Sequence, residues 1–381
     1  MRKEDQKQTL HVRVIEKSNE YILPLCVGFI DYEKVFDSVE HFAIFDALRK
    51  SNINETYVTI LENIYRNASA RVHIDNLESE PFPILRGVRQ GDPISPKLFT
   101  AAIEMIFRKA DLEHGLNVDG ETLTNLRYAD DVALVTEKVE NMEEQLNVLN
   151  ISLESGLKMH KGKTKYMNNF ESSKDITKDK EKIEKVKSYK YLGQTTYLKD
   201  TTKEEVTCRI RAGWSCFGRN REIFLDDKMP ITLKRQVHDQ CVLPTMTYGC
   251  QTWSLTKATT QKLRVAQRAM ERKILGIKLA DRVKCSEIRK RTQIQDIVDF
   301  VAKQKWKWAG HMARLKDNRW TLRVTEWQPR NGKRSRGRQA RRWRDDIVKT
   351  KGNTWSRDAR DRDEWRRDAE GYILQWMDRA S

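Results

Sequence analysis

The sequence predicts an α+β layer over its first half and a mostly helical second half, on three observations. Residues 123–136 alternate around a short polar centre (Leu126, Tyr128, then Val132, Leu134), the pattern of a β-hairpin with acidic residues at its tip. Strands and helices interleave on either side of it, which favours a helix-covered sheet over a bundle. Beyond about residue 200 the apolar residues take helical spacing instead: Leu263, Ala266, Met270, Ile274 and Ile277, then Ile297, Val301, Trp308 and Met312.

Taken in order, residues 21–36 read as a strand running into a tight turn, and Val39–Lys50 as an amphipathic helix. A second helix is expected from Ser95, a good N-cap with Pro96 behind it; Leu98, Ala102, Met105 and Ile106 continue it and Gly115 is the expected stop. After the hairpin, Glu140–Ser155 reads as a helix ended by Gly156, followed by a short strand through Lys165–Met167. Lys174–Lys187 is a charge run expected to be a solvated connection, and residues 328–342 (QPRNGKRSRGRQARR) a basic loop or tail. No internal repeat is visible.

Composition narrows the class. Of 381 residues, 38% are hydrophobic and 33% charged, so the chain is folded but very polar. Neither a membrane helix of roughly 18 apolar residues nor an N-terminal secretion signal is present, and six scattered cysteines without a CxxC pair read as reduced thiols of an intracellular protein. A metal knuckle from His238, Cys241 and Cys250 would lack a fourth ligand and zinc-like spacing. The net charge is +17, of which residues 301–350 hold +12, from 16 Lys and Arg against 4 Asp and Glu. Such an excess implies a polyanionic partner, nucleic acid first.

Two acidic elements suit nucleotide transfer, which uses a pair of divalent ions roughly 3.5–4 Å apart and hard oxygen ligands on stiff supports. One is Phe29-Ile30-Asp31-Tyr32-Glu33-Lys34-Val35-Phe36-Asp37 after an apolar strand; the other is Tyr128-Ala129-Asp130-Asp131 inside the hairpin. Each alone is weak, since an Asp-Asp pair is usually a solvated turn. Between them lies Arg86-Gly87-Val88-Arg89-Gln90-Gly91-Asp92-Pro93-Ile94-Ser95-Pro96, ending in Leu98-Phe99. In this order the three strings resemble the reverse transcriptases of non-LTR retrotransposons (LINE-like, of the RTE or jockey type). Gly156–Lys165 is similar to that family's fourth palm motif, Tyr189-Lys190-Tyr191-Leu192-Gly193 to its primer-gripping hairpin, and Leu243-Pro244 with Thr247-Tyr248-Gly249 and Thr252-Trp253 to its thumb.

The resemblance implies a right-hand polymerase palm, an antiparallel sheet with packed helices, then a helical thumb and a basic C-terminal region. The implied boundaries are 1–20 for a remnant of the fingers and palm entry, 21–200 for the palm, 201–295 for the thumb and 296–381 for the basic Trp/Arg-rich region. It makes Asp31, Asp130 and Asp131 the catalytic metal ligands, for two Mg²⁺ that Mn²⁺ can replace. Phe36 crowds a ribose 2′-OH, Gln90 and Gly91 shape the nucleotide pocket, Lys163 stands near the leaving pyrophosphate, and Tyr191, Leu192 and Gly193 grip the primer. Asp37 and Asp92 are read as supporting the fold. An RNA template, a DNA primer and dNTPs are the implied partners, without a membrane, and a nuclear place of action follows.

In the C-terminal third, tryptophans (Trp306, Trp308, Trp320, Trp327, Trp343) interleave with Lys and Arg, as in single-strand binders, or are core. On a helix Trp306 and Trp308 point roughly 200° apart, so they cannot share one stacking face. Arg334, Arg336, Arg338, Arg341 and Arg342 are candidate phosphate contacts, and the same run fits a nuclear localisation signal. The family carries fingers and an endonuclease before the first carboxylate, whereas this chain reaches Asp31 within thirty residues and has His160 where relatives have Asn. Two hypotheses follow: an RNA-directed DNA polymerase, or a truncated or domesticated relic that binds nucleic acid and polymerises little.

Overall fold

The computed structural model describes residues 3–151, 156–178, 181–199, 201–315, 320–330, 332–334, 337 and 341–377. The chain divides into two compact units, Pro24–Lys187 and Met1–Leu23 together with Ser188–Ser381. The second unit thus claims the N-terminal helix α1 (Lys3–Tyr21), which no apolar periodicity announces.

The Pro24–Lys187 unit is built on β1 (Cys26–Ile30), an all-buried apolar strand, as expected when both faces of a sheet are covered. Helices α2 (His41–Lys50), α3 (Glu55–Arg66) and α4 (Ser95–Ala110) precede the hairpin β2 (Asn125–Tyr128) and β3 (Asp131–Thr136). Helix α5 (Val139–Ile151) leads to β4 (Lys165–Asn168) and β5 (Glu184–Lys185). The sheet order is β5-β4-β1-β3-β2, with β1 antiparallel to both neighbours and β5 added parallel to β4. Gly28 makes room where α5 crosses the sheet: a Cβ there would lie 2.6 Å from the Met142 sulfur, which would have to shift. Phe99, Ile103, Ile106 and Phe107 of α4 and Met142, Leu146 and Leu149 of α5 fill one core with β1 and β3. Each such side chain contributes about 1.5–3 kcal/mol by burial.

Three expectations need correction here. Helix α4 begins at Ser95, whose hydroxyl is buried without a partner; the turn before it is held instead by Asp92, whose Oδ1 accepts from the Ile94 N–H at 3.0 Å. The helix stops at Ala110 rather than near Gly115, Asp111 taking a left-handed φ of 41°. The charge run is no solvated connection: Ile176 and Ile183 are buried core residues, Lys178 is buried as well and β5 pairs with the sheet, with Glu181 and Lys182 exposed. The expected end of α5, residues 152–155, lies outside the described residues.

The second unit is helical, with one hairpin, β6 (Ser188–Tyr191) and β7 (Gln194–Tyr197). Helices α6 (Thr201–Arg219), α7 (Lys257–Ile274) and α8 (Ile297–Ala313) confirm the expected helical spacing. One core joins Val206, Met246, Leu263 and Met270 to Trp306, Trp343, Trp355, Trp365 and Trp376, so residues 201–295 and 296–381 fold as one body. The two compact units meet in sequence after Leu23 and after Lys187, whereas the expected boundaries were at 200 and 296. Trp306 and Trp365 stack at 3.9 Å and 5°, and each indole N–H donates to the other's carbonyl. Trp308, Trp327 and Trp343 are buried too, so these tryptophans are core rather than a stacking surface for bases.

Candidate active site

Asp31 leaves β1, Asp131 opens β3, and the pairing Ile30↔Val132 brings them to the same end of the sheet. Tyr128↔Asp131 closes a two-residue turn, Ala129-Asp130, that carries the third carboxylate on the hairpin tip. Ala129 has φ 52°, the positive value that primed hairpin turns need at their first position. Asp130 and Asp131 are exposed, and Asp31 is 36% exposed by its side chain. Its Oδ2 is nonetheless buried and accepts no hydrogen bond, with the Lys163 ammonium 3.6 Å away.

Lys163 arrives on the loop after Gly156, which is laced to the chain leaving β1. Asp31 O accepts from His160 N at 2.7 Å, Lys158 O accepts from Glu33 N at 2.8 Å, and Tyr32 bridges Met159. His160 then turns the loop: its carbonyl accepts from the Lys163 and Thr164 N–H groups at 3.2 and 2.9 Å. The turn is thus held through the backbone carbonyl of residue 160, with the His160 Nδ1 also accepting from the Lys163 N–H at 3.3 Å.

The neighbouring loop brings Phe36, Gln90 and Gly91 together. Phe36 O accepts from Val88 N at 2.7 Å, and the Phe36 ring, half-buried, lies 4.8 Å from Phe99. Gly87 has φ +87°, and a Cβ there would meet Phe36 O at 2.8 Å, so only glycine permits this approach. Gln90 donates through Nε2 to Asp37 Oδ1 at 3.0 Å, which agrees with Asp37 as a supporting residue. Gly91, φ +90°, faces open space.

Among the described residues no three His, Cys, Asp or Glu side chains gather as a ready metal cage. The three aspartates form an open set at one strand end. That fits Mg²⁺, which keeps several waters and is usually held by one or two carboxylates together with substrate phosphates. Beneath them, Arg127 of β2 pairs with Glu104 at 3.0 Å and lies over Phe107 at 4.5 Å. Burial lowers the Arg127 pKa and raises that of the Tyr32 hydroxyl, next in sequence to Asp31. Neither residue was singled out from the sequence, where an arginine in a strand reads as surface.

The residues expected to grip a primer lie in the other unit. Leu192 (φ 48°) and Gly193 (φ +72°) form a two-residue turn with both φ values positive, the type I′ requirement. Tyr191 and Leu192 are buried, at 3% and 6% exposure, and the Tyr191 ring lies 5.0 Å from His11. Leu192 O accepts from Gln8 Nε2 at 2.5 Å and Tyr248 Oη at 3.1 Å, and Gly193 O accepts from Arg209. Gln8 and Arg209 carried no sequence signal, because their partners are 184 and 16 residues away.

The basic segment is tied down where it is described. Arg334 pairs with Glu20 at 2.6 Å, Arg342 with Asp345 at 2.7 Å and Arg341 with the buried Asp346. A phosphate contact by these three would compete with those carboxylates. Arg336 and Arg338 lie outside the described residues. Among the described residues no helix is long and apolar enough to cross a membrane.

Residues 1–196 match the family model for reverse transcriptase (RNA-dependent DNA polymerase). A putative uncharacterized transposon-derived protein of Caenorhabditis elegans is 34% identical over 66% of this chain and 96% of its own length. The Pol polyprotein of retrotransposable element R2 from Nasonia vitripennis is 33% identical over 38% of this chain and 14% of its own length. The RNA-directed DNA polymerase of the mobile element jockey from Drosophila melanogaster is 24% identical over 65% and 28%. The chain thus spans nearly all of the nematode relative and a small part of the two element polymerases. The acidic strand end, the Gln-Gly loop and the lysine loop recur in one unit, in the order this family has them, and the chain belongs to the reverse transcriptases, with its relatives among non-LTR retrotransposons.

Proposed function

We propose that the protein copies RNA into DNA by adding deoxynucleotides to a DNA primer end. The observation that carries this is the strand end that Asp31 shares with Asp130 and Asp131, with the Lys163 ammonium 3.6 Å from the buried Asp31 Oδ2. Carboxylates brought together on stiff strand ends are what a pair of hard divalent ions requires. Asp31, Asp130 and Asp131 would hold two Mg²⁺, which when bound lower the pKa of the attacking hydroxyl and neutralise the triphosphate.

The remaining roles fall to the chain's own side chains. Phe36 limits the space open to a ribose 2′-OH and so favours deoxynucleotides. Gln90, its amide nitrogen turned to Asp37, leaves Oε1 to accept from the nucleotide or template base. Lys163 offers an exposed ammonium where negative charge grows on the leaving pyrophosphate. The DNA primer implies a nuclear place of action.

Primer extension by the purified chain on a primed RNA template, with dNTPs and Mg²⁺, tests the proposal. Extension should be abolished by EDTA and reduced on the order of 10³-fold by Asp130→Ala. Extension undiminished by Asp130→Ala overturns the site. Tight, salt-sensitive RNA binding with no extension under any divalent ion favours the relic reading instead.

A further inference from the structure

We propose that the second unit carries a pocket for a guanine base, formed by Glu4, Gln304, Lys307 and Trp308. This goes beyond the polymerase reading and does not depend on it. The cavity measures about 400 Å³, within the range of small-molecule sites, and its walls come from the start of α1, the turn at Tyr248 and α8. Gln304, Lys307 and Trp308 stand at i, i+3 and i+4, so one face of α8 supplies one wall. What points to a ligand is Trp308. The residue is 1% exposed, yet its indole N–H has no acceptor. A buried indole N–H ordinarily finds a partner, and Trp306, Trp343, Trp355 and Trp365 each donate theirs.

The other lining groups say which ligand. The half-buried Gln304 amide and the exposed Lys307 ammonium have no hydrogen-bond or ion-pair partner among the described residues. From α1, Glu4 gives one oxygen to the Tyr248 hydroxyl and keeps Oε2 as an acceptor. The cavity thus offers donors from α8 and a carboxylate from α1. An anion would meet the carboxylate and a cation the ammonium, so a neutral group with donors on one edge and acceptors on the next fits both. Among the bases of RNA that group is guanine. Its N1–H and N2–H₂ lie side by side for a carboxylate, and its O6 and N7 accept from the ammonium, the amide and the indole. Adenine and cytosine would turn a ring-nitrogen lone pair toward Glu4 beside their amino group, and uracil two carbonyls. Residues 301–350, which include this face of α8, carry +12 of the chain's +17 charge and would hold the strand on which such a base arrives.

The full chain, with its tryptophan indoles labelled by nitrogen-15, provides the test by NMR. Its ten tryptophans give ten indole N–H signals, and Trp308→Phe identifies the one that lines the pocket. GMP should move that signal saturably, whereas AMP, CMP and UMP, which carry the same phosphate, should barely move it at equal concentration. Glu4→Gln should raise the GMP Kd about tenfold, through loss of charge-assisted hydrogen bonds. Lys307→Gln, a change on the surface, should raise it by up to about fivefold and keeps the test open if Glu4→Gln does not fold. A short oligouridine with one central guanosine separates the two sources of the base. Tighter, salt-sensitive binding than GMP assigns the pocket to a strand, and equal binding assigns it to a free guanine nucleotide. Equal shifts by all four mononucleotides, or a Trp308 signal that neither GMP nor the guanosine-containing strand moves, overturns the proposal.

Discussion

The carboxylate end of the Pro24–Lys187 unit and the hairpin turn of the other unit handle polar groups in opposite ways. At the first, Asp130 and Asp131 face solvent and one Asp31 oxygen is buried with no donor. At the second, buried polar groups are matched: Gln8 and Arg209 cap two carbonyls, and the single Tyr248 hydroxyl proton goes to Glu4 at 2.5 Å. The first keeps its carboxylates open to solvent, whereas the second buries its polar groups against partners within the unit. The cost of the second strategy is that every partner becomes structural. Tyr248 shows it, its pKa pushed up to about 12 chiefly by burial and then by the Glu4 hydrogen bond.

The sharpest way to break this contrast is to remove charge from each region and read activity and stability together. Asp130→Ala should lower extension by on the order of 10³-fold, with a melting temperature close to wild type, since the side chain is exposed. If it melts early as well, the open corner is part of the support and the contrast fails. Lys305→Ala should do the reverse. Its ammonium is buried 2.7 Å from Asp346, which keeps Arg341 as its other cation, so removing the lysine from the buried cluster should cost on the order of 3 kcal/mol in denaturant unfolding. A loss below about 1 kcal/mol would mean that water reaches the pair.

Acid should separate the regions next. Burial holds His11 neutral, its pKa lowered to about 4 from 6.5. The unfolded chain therefore binds more protons than the folded one between those values, and stability present above pH 6.5 is lost as pH falls toward 4. The loss should be on the order of 3 kcal/mol. His11→Gln should flatten this part of the pH profile of unfolding; a profile unchanged by that substitution would remove His11 as its source. The smallest effect belongs to the surface of the first unit. Arg49 bridges Glu55 and Glu62 at 2.7 Å on the surface, and Arg49→Ala should move the denaturation midpoint least of these substitutions, by an amount that disappears in high salt.

Much of the site was legible because its motifs are local. Asp31 follows an apolar strand, and Asp130 sits in a tight turn between alternating residues, so periodicity places both without any knowledge of the fold. The helices over 257–274 and 297–313 were legible for the same reason. Helix α1 was not, because the side chains it buries include Gln8, Thr9, His11, Arg13 and Lys17. A helix with a polar core face carries no apolar stripe. Arg13, for example, is at home inside only because Glu16, the Thr252 carbonyl and the Trp343 ring lie around it.

The C-terminal region shows the same limit from the other side. Its arginines read as a free basic run, yet Arg334, Arg341 and Arg342 have carboxylates of Glu20, Asp346 and Asp345 beside them. By itself the sequence determined the family of this protein and singled out three aspartates as its expected metal ligands, since hard-ligand chemistry and strand periodicity are written in neighbouring residues. Only the tertiary structure decided which polar side chains serve as support, that residues 188–197 belong with the helices, and that Lys190 rather than Tyr191 faces outward. Those outcomes depend on partners up to hundreds of positions away, and burial converts such distant pairings into structure in a way no local pattern records.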